Sequence, residues 1–508
     1  LEQKQELEQK QELEQKQESE KNQEQITDEI KKIKIKKANL TNFFKSCLDT
    51  LRDSEGLTGD KALRTMAYIL ILRLSREHIE NGTIKFDNLD EYIAPYNEND
   101  YKNVLRYAEY VNFTKLATQV EAGLTYKVAT IWEWILSKHD KFRDLYHDGD
   151  SLNIKSDCTL KMLLVKFLEF PFEDYEEDIQ GECYEEVIKD IMIGKILGQY
   201  FTNPLIKNFM IDLIKPQVKE DGKIETIFDP AMGTGGFLVS ALRYIKNQAN
   251  EKNINLDYEF ITKYGIGGRE LDPDTFKLCK ANMLISSGKI FENIKNMDSI
   301  RNGIMDKYDI ILANPPFGIK GMNYKQIPST GNPCKGDYLP IESNSAIPLF
   351  IQMMIYILKV GGRCATVVPD GQDLFGKAKS LVKYREYLMK TCDLKEIIFM
   401  SDGLFNNTGV KTCVFYFTKK IETKDFYEQV KDKSLDLYHA VITKNHATEK
   451  VAFYDYDAYK KEKKLLIEVN IDKIANNNYS LRYTDYLEKE EIKYSNDIQV
   501  MKLGDICE

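Results

Sequence analysis

The sequence predicts an α/β protein, in which a parallel sheet with helices on both faces follows an all-helical N-terminal domain. Beyond Glu182, short apolar runs alternate with amphipathic helical segments, as strand–helix–strand units do. Upstream of about Phe170 the apolar residues keep a helical period instead. Turns rich in glycine or proline stand directly after several of the apolar runs, where the carboxyl ends of strands in an open sheet build ligand sites.

Length and composition set the bounds. The 508 residues are too many for one ordinary domain and enough to bury two or three cores. With 43% hydrophobic and 30% charged residues, the chain reads as globular. The longest apolar stretch, Ile347 to Leu358, is too short to span a bilayer and is interrupted by Pro348 and Gln352, so no membrane partner is expected. The opening residues are highly polar, unlike a secretory signal, and the first is not Met, so the natural start is expected elsewhere. Nine cysteines are scattered singly, with no Cys-x-x-Cys pair and no nearby His. That argues for reduced thiols in the cytoplasm and against a disulfide frame or a metal site. The net charge of −9 gives no overall attraction to phosphate, so nucleic-acid binding needs a local basic groove or another basic domain.

Residues 1–25 form a low-complexity polar tail that opens with three identical copies of Leu-Glu-Gln-Lys-Gln-Glu. A six-residue period steps each leucine by about 240° round a helix, so Leu1, Leu7 and Leu13 line no common face; a solvated tail and a partner-binding helix both remain open. Residues 26–170 make the helical domain. Phe43, Phe44, Cys47, Leu48 and Leu51 recur at helical spacing, as do Leu63, Met66, Ala67, Leu70, Ile71 and Leu74. Trp132 and Trp134 fit a core role better than a binding platform. Residues 171–425 carry the strand candidates Thr226–Asp229, Tyr264–Arg269, Tyr308–Ala313, Cys364–Val368, Leu394–Phe399 and Thr412–Phe417. Residues 426–490 read as a C-terminal extension without a clear motif, and residues 491–508 as a separate tail.

Three strand-end motifs carry chemistry. In Ile227-Phe228-Asp229-Pro230-Ala231-Met232-Gly233-Thr234-Gly235-Gly236-Phe237-Leu238 a strand ends at Asp229, a glycine turn follows, and a helix begins near Gly236. The spacing is not that of a dinucleotide turn, so it is not shaped for a pyrophosphate. A free acid at the strand end suits a ligand with cationic amino and sulfonium groups, although the glycines alone also fit an ordinary turn. In Gly265-Ile266-Gly267-Gly268-Arg269-Glu270 an apolar run ends in a carboxylate that can accept both ribose hydroxyls of a nucleoside. Glu270 stands further along than the ~20 residues usual for that arrangement, and a surface acid is the alternative reading. Asp298, in Asn296-Met297-Asp298-Ser299, is a third strand-end acid placed to bond the amino group of an adenine ring.

The third motif is Ile310-Ile311-Leu312-Ala313-Asn314-Pro315-Pro316-Phe317-Gly318. A buried strand delivers Asn314 to its carboxyl end, and two prolines fix the turn and leave its carbonyls free. An aryl amine is a weak nucleophile because its lone pair is delocalised into the ring. Accepting both N–H bonds, through the Asn314 side-chain oxygen and the Pro315 carbonyl, draws the nitrogen toward tetrahedral geometry and localises that pair. Phe317 offers a face for an extracted base. A sulfonium methyl held in line then reacts by positioning and electrostatics, a chemistry that needs neither a metal nor a covalent nucleophile.

These residues, with Gln199-Tyr200-Phe201-Thr202 ahead of them, resemble the modification subunit of type I restriction-modification systems, N6-adenine DNA methyltransferases in which the Phe-Thr element precedes the cofactor loop. The resemblance runs over about residues 40–485 and includes Lys359-Val360-Gly361-Gly362-Arg363, Val368-Pro369-Asp370-Gly371 and Thr408-Gly409-Val410-Lys411-Thr412. It implies a Rossmann-like S-adenosylmethionine-dependent methyltransferase sheet. By that similarity Gln199, Tyr200, Phe201, Thr202, Asn203 and Pro204 touch the cofactor, as do Asp229, Ala231, Gly233, Thr234, Gly235, Gly236 and Phe237. Glu270 takes its ribose, Asp298 its adenine, and Asn314 borders it, while Asn314, Pro315, Pro316 and Phe317 hold the target adenine. The family often has Gly-Gln-Glu where Gly268-Arg269-Glu270 stand, and Thr-Pro where Thr202-Asn203-Pro204 stand.

The resemblance implies double-stranded DNA with a flipped adenine as substrate, a specificity subunit or fused recognition domain as partner, and a second methyltransferase subunit and a restriction subunit as further partners. Val500 to Glu508 resembles the opening of a target-recognition domain, with a short surface strand as the alternative. Neither an Asp…Glu-x-Lys nuclease cluster nor a Walker loop is visible in the sequence. Two other functions share features of the chain. An Asn-Pro-Pro-aromatic turn also serves enzymes that methylate a protein glutamine amide or RNA, and a non-catalytic DNA-binding assembly subunit would keep the architecture without the chemistry.

Overall fold

A computed structural model describes residues 31–80, 153–192 except 176, and 202–488 apart from 319–323, 330–332, 402–403, 405–410 and 424–435. The hexapeptide repeat, Trp132, Trp134, Gln199 to Phe201, Thr408 to Val410 and residues 491–508 lie outside the described residues.

Among the described residues the N-terminal unit has four helices: α1 (31–55), α2 (Gly59–Glu80), α3 (Asp157–Glu169) and α4 (Glu177–Met192). The periodic positions explain them. Leu40, Phe44, Cys47 and Leu51 of α1 are fully buried, together with Leu63, Met66 and Leu70 of α2. Ser156 caps α3 by accepting the Thr159 N–H, with Asp157 in the first turn. Phe43, Phe44, Phe167 and Phe172 form a cluster of rings. This core also takes Leu278, Ala281 and Ile285 from a helix of the sheet domain, so the two units share a wall.

Among the described residues the sheet has nine strands in the order β3-β2-β1-β4-β5-β7-β6-β8-β9. The strands are β1 (Ile227–Asp229), β2 (Ile266–Glu270), β3 (Ile294–Asn296), β4 (Tyr308–Ala313), β5 (Leu358–Pro369), β6 (Cys392–Met400), β7 (Thr412–Lys419), β8 (Lys450–Asp457) and β9 (Glu462–Asn470). Between them run α5 (Pro204–Ile214, ahead of β1), α6 (Gly236–Lys252), α7 (Pro273–Ser287), α8 (Ala346–Ile357) and α9 (Lys379–Thr391). The first five strands are parallel, as expected. The sheet as a whole is mixed, because β7 runs antiparallel between β5 and β6 and β9 antiparallel to β8. The apolar texture of β7 is the same in either direction, so its sense was not readable from the residues. The strands β8 and β9 carry no plain alternation: β9 is an edge strand with its first four residues exposed, and their pairing shifts between Phe453 and Tyr454.

Parallel pairing of β1 with β4 sets Ile227 beside Ile310 and Phe228 beside Ile311. It is locked at the amino ends by Asp309, whose Oδ2 accepts from the Thr226 N–H at 2.9 Å, the Thr226 hydroxyl at 2.7 Å and Lys359 Nζ at 2.8 Å. Arg363 of β5 adds a bidentate pair to Glu225 at 3.0 and 2.7 Å. Removing the Asp309 acceptor strands the Thr226 N–H. The Asp309→Ala protein is therefore expected to lose about 1–3 kcal/mol of stability, measured by denaturant titration; a change within error would show that the lock contributes nothing.

Candidate active site

The carboxyl ends of β1, β2, β3 and β4 form one edge, and the site is assembled there. Parallel strands lie about 4.8 Å apart, so the β1–β4 pairing brings Asp229 and Asn314 to neighbouring strand ends. Asp229 is 1% exposed. Its Oδ1 accepts the Ala231 N–H at 2.9 Å, while Oδ2 is buried with no partner among the described residues. Burial, with Glu270 nearby adding to it, pushes its carboxyl up to about 8.

The glycine turn folds back over this acid. Gly235 has φ of 83°, and a Cβ there would meet Cys279 Sγ at 2.7 Å; only glycine fits on both counts. Gly268 of β2 lies so close to β1 that a Cβ would meet the Asp229 carbonyl and Met232 Sδ, each at 2.8 Å. The Asn282 side chain on α7 donates to the Thr234 carbonyl at 3.0 Å. Glu185 of α4 and Lys207 of α5 form a buried ion pair against Gly236, whose Cβ would come within 2.8 Å of Glu185 Oε1.

Glu270 braces the same turn. Its Oε2 accepts the Gly233 N–H at 3.0 Å and its Oε1 the Asp272 N–H at 2.8 Å, and burial raises its carboxyl above the ordinary range. Each oxygen keeps a second lone pair for a hydroxyl donor. Asp298 is engaged with its own turn: Oδ1 accepts from Ile300 N at 2.8 Å and Arg301 N at 2.9 Å, and Oδ2 pairs with Arg301 at 3.4 Å. Arg269, the departure from the family pattern, bonds the carbonyls of Asn302 and Gly303 and so ties down the loop between β3 and β4.

Asn314 is half-buried behind β4. Its Nδ2 donates to Thr202 Oγ1 at 2.9 Å, and its Oδ1 is buried with no partner among the described residues. Thr202 thus joins the Phe-Thr element to the diproline turn. Asn203 caps α5 by accepting the Leu205 N–H at 3.0 Å, with Pro204 at the first helical position; this local role accounts for the second departure. Pro315 is buried, and Pro316 is half-buried. Two aromatic candidates sit in the core: Phe237 is 3% and Phe317 9% exposed. Phe317 is therefore part of the core in this structure rather than an exposed face.

The structure brings together Thr202, Asp229, Ala231, Gly233 to Gly236, Glu270 and Asn314. Sequence reading missed Asn282 and the Glu185–Lys207 pair, and named Gly268 within its motif without giving it a role. Consecutive glycines at a strand end could have signalled Gly268; nothing in the sequence marks Asn282, because its partner is a carbonyl from a distant segment. Two unmatched buried acceptors, Asp229 Oδ2 and Asn314 Oδ1, thus stand at the carboxyl ends of adjacent strands. Such an edge suits a cationic ligand on one side and a donor-bearing amine on the other.

The sequence profile of N-6 DNA Methylase matches residues 175–495. The chain is 27% identical over 402 residues to the type I restriction enzyme EcoEI methylase subunit of Escherichia coli, covering 77% of each chain. It is 37% identical over 234 residues to the EcoKI methylase subunit of Escherichia coli K12, covering 44% of this chain and 40% of that protein. Among solved structures, the type I restriction-modification system methyltransferase subunit from Streptococcus thermophilus superposes with a TM-score of 0.61 at 19% identity, over 88% of this chain and 98% of that one. A chain of the type I R-M system superposes at 0.63 with 18% identity, over 91% and 93%. With a profile match over more than half of its length, laid across the strand ends just described, the chain belongs to the N-6 DNA Methylase family and is a DNA methyltransferase.

Proposed function

We propose that the protein transfers a methyl group from S-adenosylmethionine to N6 of adenine in double-stranded DNA, as the sequence-specific modification part of a type I-like restriction-modification system. The observation that carries the reading is the pair of unmatched buried acceptors on β1 and β4. The residues fit the cofactor. Asp229 Oδ2 is a buried acceptor for a cationic group, Glu270 keeps lone pairs for ribose hydroxyls, and Gly233 to Gly236 keep the turn backbone close. When bound, the cofactor supplies an activated methyl on a sulfonium.

The chain's own residues do the rest. Asn314 Oδ1 and the Pro315 carbonyl accept the two N–H bonds of the exocyclic amine, which localises its lone pair toward the methyl. The prolines hold this corner rigid, so little reorganisation is needed on the way to the transition state. The acids beside the glycine turn, Asp229 and Glu270, favour the cationic over the neutral form of the ligand, so the demethylated cofactor, a neutral thioether, is held less firmly. Double-stranded DNA with its target adenine flipped out, a specificity subunit or fused recognition domain, a second methyltransferase subunit and a restriction subunit are the partners this reading entails.

Asn314→Ala is expected to reduce methyl transfer by at least about 100-fold while leaving cofactor binding in place. The measurement is labelled methyl incorporation into unmethylated genomic DNA, followed by nucleoside digestion to identify N6-methyladenine. Undiminished turnover in the variant, or label appearing only in protein or RNA, would overturn the proposal.

A pH dependence follows from Asp229. Its folded value of about 8 stands above the ordinary 3.8, so in the free protein the stability tied to this group is full at low pH and declines as pH rises through that window. A cation beside it lowers the value, so binding releases a proton below pH 8. Cofactor affinity is then expected to strengthen with rising pH by up to about tenfold per unit. Calorimetry in buffers of different ionisation heat should show that release, and Asp229→Asn should lose it. Equal heats in all buffers for the parent protein would refute the assignment.

A further inference from the structure

We propose that Thr202 is a positioning residue for Asn314: its hydroxyl accepts one amide N–H and so sets which end of the Asn314 amide faces the target amine. The inference rests on the proposed reaction and deepens it, since the similarity assigns Thr202 only to the cofactor.

A side-chain amide has a donor end and an acceptor end of nearly the same shape. Rotating it by 180° about its terminal torsion exchanges them at little steric cost. The two orientations have opposite chemistry here. With Oδ1 toward the site, the amide accepts an amine N–H. With Nδ2 there, two donors confront one another and the lone pair is drawn away from the methyl. In the structure Nδ2 faces Thr202 at 2.9 Å and Oδ1 is left buried without a partner among the described residues, which is the productive sense.

A hydroxyl both donates and accepts, so Thr202 discriminates only when its own proton is committed elsewhere. Among the described residues none takes that proton. Thr202 directly precedes Asn203, whose side chain is already spent on the Leu205 N–H. An acceptor oxygen on a ligand in the site would take the Thr202 proton and leave the hydroxyl an acceptor only. The Asn314 amide then has one bonded orientation. Thr202 thereby makes readiness toward the amine depend on an occupied cofactor site. Its place at the end of the Phe-Thr element, beside the catalytic turn rather than on the glycine loop, suits that coupling.

The test uses the full chain, assembled with the specificity subunit that the proposed function entails, together with S-adenosylmethionine and unmethylated genomic DNA. Thr202→Val keeps the shape and removes the hydroxyl. It is expected to lower kcat at saturating cofactor by about 10- to 100-fold, with the cofactor dissociation constant raised by no more than about tenfold, the loss of its one bond to the ligand, and a melting temperature close to that of the parent. Thr202→Ser, which restores a hydroxyl, should recover most of the loss. The Thr202→Val, Asn314→Ala double variant should be no slower than Asn314→Ala alone, because residues acting as one unit are not additive. A raised cofactor KM with kcat intact would reduce Thr202 to a cofactor contact, and a lowered melting temperature with kcat per folded molecule intact would reduce it to a structural one. Either result overturns the proposal. A parent protein that places no methyl on adenine overturns the proposed function itself, a separate outcome visible before any variant is made.

Discussion

The parallel pairing of β1 with β4 is the constraint on which the site depends. It puts Ile227 beside Ile310 and leaves Asp229 and Asn314 at adjacent strand ends. Side chains alternate across a sheet, so a register slip of one residue would send Asn314 to the opposite face. The register is fixed twice, by the apolar faces of the two strands and by the Asp309 carboxylate that gathers Thr226 and Lys359 at their amino ends. The stacked rings of Phe228 and Tyr308, with centroids 4.3 Å apart, reinforce the same alignment from within.

At the opposite ends of those strands the rules that govern the core are relaxed. Asp229 is a buried acid and Glu270 a half-buried one, neither paired with a cation among the described residues, and Asp229 Oδ2 and Asn314 Oδ1 lack any partner among them. An unmatched buried acceptor costs about 1–3 kcal/mol, so two together are a concentrated local penalty. The surrounding frame sustains it. The strands behind bury Ile227, Phe228 and Ile310 to Ala313 in the core, and the glycine turn is held by Glu270 and Asn282 rather than by its own side chains. Local frustration of this kind marks a place where a ligand completes the hydrogen bonding.

The helical unit and the sheet are joined through α7, which is buried almost all round: Phe276, Cys279 and Met283 face the sheet core, while Leu278, Ala281 and Ile285 face the helical one. The Glu185–Lys207 pair extends the join to the glycine turn at Gly236. A buried ion pair adds little net stability but penalises every arrangement that separates its members. It therefore fixes how α4 and α5 sit against the turn, and α5 in turn carries Thr202 and Asn203.

The sequence by itself determined the fold class, six of the nine strands and the chemistry of their ends, because hydrophobic period and turn chemistry are local properties written in neighbouring residues. Asp229, Glu270 and Asn314 were legible as strand-end residues for that reason. Only the tertiary structure decided the reversed sense of β7, the hairpin of β8 and β9, and the burial of Phe317 and Phe237, since an apolar strand reads alike in both directions and burial depends on what packs above. It also decided which polar atoms were spent and which left free. Asn203 and Asp298 accept from backbone N–H groups of their own turns, whereas Asp229 Oδ2 and Asn314 Oδ1 are buried without a partner among the described residues. Hydrogen-bond satisfaction is a property of three-dimensional neighbours, and Thr202 and Asn314, 112 positions apart, become neighbours only when the chain is folded.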